Sequence, residues 1–215
     1  MIKAISFDLD GTLADDTFDR EIWHEEIPRL YAEKNKISLE RAKEKVFATY
    51  YIALDIERQK EWTDIGYWMN RFELGEWKLL VKRLKNKIFV YDDVYPVLKE
   101  LSKKYSLIII SNASNKFLNV KLEAQKLKGY FKHIFSSPSN FGIQRKNKEV
   151  FTAILKQLKL KPSEVVHVGD DHELDYNVPT ELGMRAFHLL RGRKRAGKHE
   201  ITSLSELHEK IKELS

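Results

Sequence analysis

A chain of 215 residues, 42% hydrophobic and 33% charged, holds enough apolar material for a substantial core beneath a heavily charged surface. It contains no cysteine, which excludes disulfides, thiolate metal sites and cysteine nucleophiles, and no apolar run reaches the roughly 20 residues of a membrane span. The net charge of +6 suits an anionic partner, but acidic and basic residues alternate through most of the chain, so charge alone selects neither nucleic acid nor a phosphorylated small molecule.

The first predicted element is a buried strand built on Ala4, Ile5 and Phe7, and it runs directly into Asp8-Leu9-Asp10-Gly11-Thr12-Leu13. Asp-Gly alone reads as a turn. Two carboxylates at the carboxyl end of a buried strand read as chemistry, because in a doubly wound sheet that end opens onto a crevice. Residues 14 to 90 then lose strand character. They read as about four amphipathic helices rich in aromatic residues, with Asp15 and Asp16 at a helix start and Ser38 placed as a cap for the helix through Ala42, Val46 and Tyr50. Trp62, Trp68, Phe72 and Trp77 are expected mostly as bundle core, and His24 as a packed or solvated side chain.

Tyr91 to Pro96 leads into a helix through Leu98 and Leu101, followed by a buried strand, Ser106 to Ser111. Ser111 and Asn112 sit where a donor to a phosphoryl oxygen is expected, with a loop or helix cap as the plainer reading of Ser111. His133 to Ser137 reads as a shorter strand before the turn-rich Pro138 to Gly142. A basic run, Arg145-Lys146-Asn147-Lys148, opens the helix carrying Phe151, Ile154, Leu155 and Leu158. Glu164 to Gly169 is a third buried strand ending in Asp170, with Asp171 next and Asp175 five residues on from Asp170. Ala186 to Leu190 is a further strand, Arg191 to Arg195 a basic loop, and Ser203 to Glu206 a capping box before the last helix. Strands alternating with helices specify an α/β, doubly wound parallel sheet, Rossmann-like, with an α-helical insertion.

Phe7-Asp-Leu-Asp-Gly-Thr-Leu13 resembles the first motif of the haloacid dehalogenase superfamily, and Ser111 and Gly169-Asp170 with Asp175 are similar to its second and fourth motifs. The resemblance implies a catalytic core of residues 1–13 and 91–215 and a helical cap over 14–90. It implies an Mg2+-dependent phosphatase acting on a small phosphorylated metabolite, with Asp8 as nucleophile and Asp10 as proton donor and acceptor. Thr12 would hold Asp10 and its loop near substrate, and Ser111 and Asn112 would bind the phosphoryl group. Asp8, the backbone carbonyl of Asp10, Asp170 and, from further out, Asp175 would hold the metal. The third-motif cation is Arg145, which counting from Gly142 and from Phe151 places in the lysine slot, or Lys146 one residue on, since the usual proline is missing, with Lys148 as a third candidate. Asp10 argues against dehalogenation. A sugar phosphomutase is the enzymatic alternative, and a non-catalytic protein binding a phosphorylated partner or nucleic acid is the alternative of another class. The location expected is the cytoplasm, as a monomer or homodimer.

Overall fold

The computed structural model describes residues 1–193 and 197–214. It opens with β1 (Ala4–Phe7), after which a helical segment holds α1 (Thr17–Arg20), α2 (Ile27–Asn35), α3 (Leu39–Tyr51), α4 (Ile65–Arg71) and α5 (Trp77–Leu84). Then follow α6 (Val94–Leu101), β2 (Ser106–Ser111), α7 (Asn115–Ala124), β3 (His133–Ser136), α8 (Ser137–Phe141), α9 (Lys148–Leu158) and β4 (Val165–Gly169). The chain closes with α10 (Val178–Glu181), β5 (Arg185–Leu189), β6 (Glu200–Ile201) and α11 (Leu207–Lys212).

All six strands run parallel in one sheet, in the order β3-β2-β1-β4-β5-β6. Helices cover both faces, so successive residues along a strand enter different cores. Ile5 and Phe7 of β1 and Leu107 and Ile109 of β2 join the core formed with Leu98 and Leu101 of α6, Phe117 and Leu122 of α7, and Ile211 of α11. Ala4, Ile108 and Ile110 face Phe151, Ile154 and Leu155 of α9 on the other side. This double burial explains why the strands read as continuous apolar runs.

The strand order reverses at β1, whose Phe7 is in register with Ile109 on one side and Val168 on the other. The residues that follow these partners therefore leave the sheet at one edge, at the switch point of a doubly wound fold. The helical segment leaves and returns at the same place: Ala14 bridges Val90 in antiparallel fashion, the Asp15 amide donates to the Phe89 carbonyl (3.0 Å), and the Tyr91 amide donates to Leu13 (3.2 Å). Ser38 caps α3 as expected, accepting from the Arg41 amide. The Asp15 carboxylate accepts from the Thr17 amide at 3.1 Å, the helix start expected there.

One local expectation changes. The stretch after β3 is a short helix rather than a turn. The Ser136 hydroxyl accepts from the Ser139 amide at 3.1 Å, Pro138 fits the first turn, and Gly142 ends it at φ 65°. β6 is two residues long and leaves no period to read.

Asp93 ties the sheet edge to the end of the chain. Its carboxylate accepts from Arg191 (2.9 and 3.2 Å), the Ser203 hydroxyl (2.6 Å) and the Leu204 amide (2.8 Å). Burial alone would raise its pKa, but these donors outweigh burial and hold it below the ordinary range. Since the folded pKa is depressed, the stabilisation is present above the unfolded Asp pKa and is lost as pH falls through the folded value. Asp93→Ala is expected to lower stability by about 2–4 kcal/mol at neutral pH, because it strands buried donors. Urea unfolding at neutral pH and near pH 3 checks this, with the difference between parent and variant shrinking at the acid end.

Candidate active site

The first loop is shaped by what glycine omits. The Asp8 amide still donates to the Val168 carbonyl at 2.9 Å, so the ladder extends one residue past β1 before the chain turns. Gly11 turns at φ 78°, and a β-carbon on it would lie 2.2 Å from Asp170 Oδ2. A β-carbon on Gly169 would lie 2.2 Å from Asp175 Cγ. Both glycines leave the space that a carboxylate fills. As a result Asp8, Asp170 and Asp175 each place an oxygen within 4.8 Å of the others.

Such crowding shows in the charges. Burial pushes the Asp8 carboxyl well above its usual range, with Asp175, Asp170 and Asp10 adding to the effect and Lys146 opposing it. Asp170 is pushed up to about 6, by burial and then by Asp175. Asp175 goes the other way: burial would raise it, but Lys146 and His167 hold it low. An all-oxygen set of carboxylates carrying uncompensated charge fits a hard divalent cation. Both Asp175 oxygens are already engaged, Oδ1 by Lys146 and His167 and Oδ2 by the Asp171 amide at 3.2 Å, which suits it to orienting the set.

Of the three basic candidates only Lys146 enters the site. Its ammonium is buried, donating to Asp8 Oδ1 (2.6 Å) and Asp175 Oδ1 (2.5 Å). Asn112 fixes its backbone, the side-chain carbonyl accepting from the Lys146 amide at 2.7 Å, and Asn147 caps α9 just after it. Arg145 points outward, its guanidinium over the Trp62 ring at 5.7 Å, and Lys148 pairs with Glu181 at 2.7 Å. The Ser111 hydroxyl accepts from the Ala113 amide at 3.0 Å, shaping the turn at the end of β2. Thr12 differs from expectation: fully buried, its hydroxyl donates to Asp170 at 3.3 Å, not to Asp10. The Asp10 carboxylate likewise lies outside the three-aspartate group.

Asp10 instead meets Lys121, a residue the sequence reading missed. Lys121 is buried between Asp10 and Asp19, with the rings of Phe18 and Phe117 at 5.8 and 5.6 Å from its ammonium. The available signal was a lysine on the apolar face of α7, spaced with Phe117, Leu118 and Leu122. His167 was also missed, inside a strand read as apolar. Burial lowers its pKa against the pull of Asp175, and so favours the neutral ring. Because Asp175 can only accept, His167 Nε2 donates to it (2.9 Å) and Nδ1 accepts from the Ser6 hydroxyl (2.7 Å).

In the basic loop, Arg191 is turned inward, donating to the Thr12 carbonyl (2.7 and 3.0 Å) and to Asp93, with Tyr91 stacked at 3.8 Å. Lys194 and Arg195 of that run lie outside the described residues. Among the described residues no helix is long and apolar enough to cross a membrane.

A parallel sheet whose switch point carries three clustered aspartates and a buried lysine defines an α/β protein with a candidate cation site in a strand-end crevice. The chain belongs to the haloacid dehalogenase-like hydrolase family, whose family model matches residues 2–177. It is 24% identical over 185 residues to the GMP/IMP nucleotidase YrfG of Escherichia coli, covering 86% of this chain and 81% of that one. It is 26% identical over 238 residues to enolase-phosphatase E1 of Aquifex aeolicus, covering 96% and 99%. The crystal structure of a HAD phosphatase from Thermococcus onnurineus superposes with a TM-score of 0.79 at 25% identity, over 98% of both chains.

Lys146→Met is expected to destabilise the metal-free protein by about 3–5 kcal/mol, since it leaves Asp8 and Asp175 buried without their cation. Arg145→Ala is expected to change stability by under about 1 kcal/mol. Urea unfolding in the presence of chelator separates the two.

Proposed function

We propose that this hydrolase is an Mg2+-dependent phosphatase that releases inorganic phosphate from a small phosphorylated metabolite through an aspartyl-phosphate on Asp8. The observation that carries this reading is the setting of Asp8, which lies at the switch point in contact with a buried lysine and beside two further aspartates. The curated relatives support it, because their names share phosphate-ester hydrolysis and differ in the organic part.

Asp8 attacks phosphorus in line and forms the covalent intermediate. Asp10 gives a proton to the departing alcohol and later takes one from the hydrolytic water. Lys121 engages its Oδ1, while the Asp10 side chain stays 31% exposed, so its second oxygen is the one available for that exchange. Lys146 balances the charge of Asp8 before and during attack. Ser111, together with the turn through Asn112 and the backbone near Leu9, orients the phosphoryl oxygens. Asp8, the Asp10 carbonyl and Asp170 would hold Mg2+, with Asp175 and Thr12 orienting them, and the bound ion would neutralise charge on the phosphoryl oxygens.

Residues 14–90 act as the cap over a core of 1–13 and 91–215, a division supported by the paired connection at Ala14 and Val90. The engaged Arg191 argues for a small phosphorylated substrate over nucleic acid. The protein is proposed to work in the cytoplasm as a monomer or homodimer.

Phosphate release from a generic aryl phosphate tests the reading. Turnover is expected with Mg2+, to vanish with chelator, and to fall by about three orders of magnitude or more in Asp8→Asn. Chelator-insensitive turnover, or an active Asp8→Asn variant, would refute it.

A further inference from the structure

Lys121 belongs to a buried cluster of charges that holds one carboxylate more than neutrality needs. Its side chain, on α7, is 1% exposed, and its ammonium contacts Asp10 from the loop after β1 and Asp19 from α1, the first helix of the helical segment. Phe18 and Phe117 flank the ammonium and pack on each other at 5.6 Å, and Trp23 stacks on Phe117 at 5.4 Å and 16°. Burial would lower the Lys121 pKa, but Asp10 and Asp19 hold it above the ordinary range, so the side chain is a cation.

Stability alone does not account for such a cluster. A buried group of charges is commonly no more stabilising than apolar side chains of the same volume, and the surrounding phenylalanines show that apolar side chains fit there. Its geometry serves orientation instead. A lysine has a long flexible stem, so a pair of Lys121 with Asp10 alone could move together. Asp19 ties the tip of that stem to a second element, and the packing of Phe18 and Trp23 on Phe117 fixes α1 against α7. The ammonium is thereby a fixed point, and Asp10 Oδ1 is bound to it. This holds the Asp10 carboxylate apart from the group formed by Asp8, Asp170 and Asp175 and leaves Oδ2 free.

We propose that Asp19 and Lys121 are positioning residues for protonation of the leaving group: Asp19 fixes the Lys121 ammonium, and Lys121 fixes Asp10 so that its Oδ2 faces the departing alcohol. The proposal rests on the phosphatase reading above. It gives a residue of the helical segment control over one step. As the Asp8 oxygen bonds to phosphorus, the ester oxygen leaves with the P–O electron pair, and Asp10 Oδ2 delivers a proton to it. A leaving group that is stable as an anion does without this proton, so its expulsion is insensitive to where Asp10 points.

The test is kcat/KM with Mg2+ for a series of substituted phenyl phosphates, from dinitrophenyl to unsubstituted phenyl, since this quantity reports events up to release of the alcohol and not the later hydrolysis. Asp19→Asn is expected to lower it about ten- to a hundredfold for phenyl phosphate and by less than about threefold for dinitrophenyl phosphate. Asp16→Asn is the control, an exposed acid just before α1 that pairs with Arg20, and is expected to change neither. Lys121→Met alone leaves two carboxylates without their cation, so the second variant is Lys121→Met with Asp19→Asn, which removes one charge of each sign. It is expected to keep the parent's melting temperature to within a few degrees and to show the steep dependence on leaving group, whereas a cluster that served only stability would give it the parent's dependence. An equal fall for every ester in Asp19→Asn, or no fall for phenyl phosphate, overturns the proposal and leaves the phosphatase reading intact. Undiminished turnover in Asp8→Asn refutes the phosphatase reading, and the proposal with it.

Discussion

The molecule is organised around one ammonium group. Several carboxylates meet at the carboxyl edge of the sheet, and at an effective dielectric near 20 each close pair repels by several kcal/mol. Lys146, 2% exposed and in contact with both Asp8 and Asp175, offsets the deepest of that charge without help from solvent. Its position is held at both ends, by Asn112 at the backbone and by the two carboxylates at the tip. Behind it, Ser6 and His167 fix Asp175 through a chain of hydrogen bonds inside the sheet, so the site rests on the strands themselves. A second buried lysine, Lys121, repeats the arrangement for Asp10 and Asp19.

Topology and loop chemistry then supply the rest. Parallel pairing brings the ends of β1, β2 and β4 level, and the reversal of strand order at β1 opens the crevice between connections that leave in opposite directions. Gly11 and Gly169 let the chain pass close to Asp170 and Asp175 where any larger residue would displace a carboxylate. Strand register and two absent side chains therefore set the spacing on which the chemistry depends.

Much of this was legible in the amino-acid sequence, for reasons that differ from residue to residue. Asp8 and Asp170 could be read because each interrupts an apolar strand at its end, and local pattern records such an interruption. The choice between Arg145 and Lys146 could not, because one residue of register separates them and the deciding contact comes from Asn112, distant in the chain. Lys121 was hidden for a related reason: its partners are 111 and 102 residues away, and a lysine on a helix reads as solvated until those partners are known. His167 was masked by the valines around it. Spacing puts Thr12 beside Asp10, but the carboxylate its hydroxyl meets, Asp170, comes from the end of β4, because spacing along a chain gives proximity and not direction.

The doubled connection at Ala14 and Val90 constrains how the two halves of the molecule move. Two backbone segments bonded side by side form a flat ribbon, and twisting that ribbon would break the Asp15 to Phe89 and Tyr91 to Leu13 bonds, whereas bending it across its width breaks neither. The helical segment is thus attached by a leaf spring rather than a swivel. Bending is opposed further out, where Trp62 donates to the Gln144 carbonyl and Lys116 pairs with Asp64, so the segment is held at its far end as well as at the ribbon.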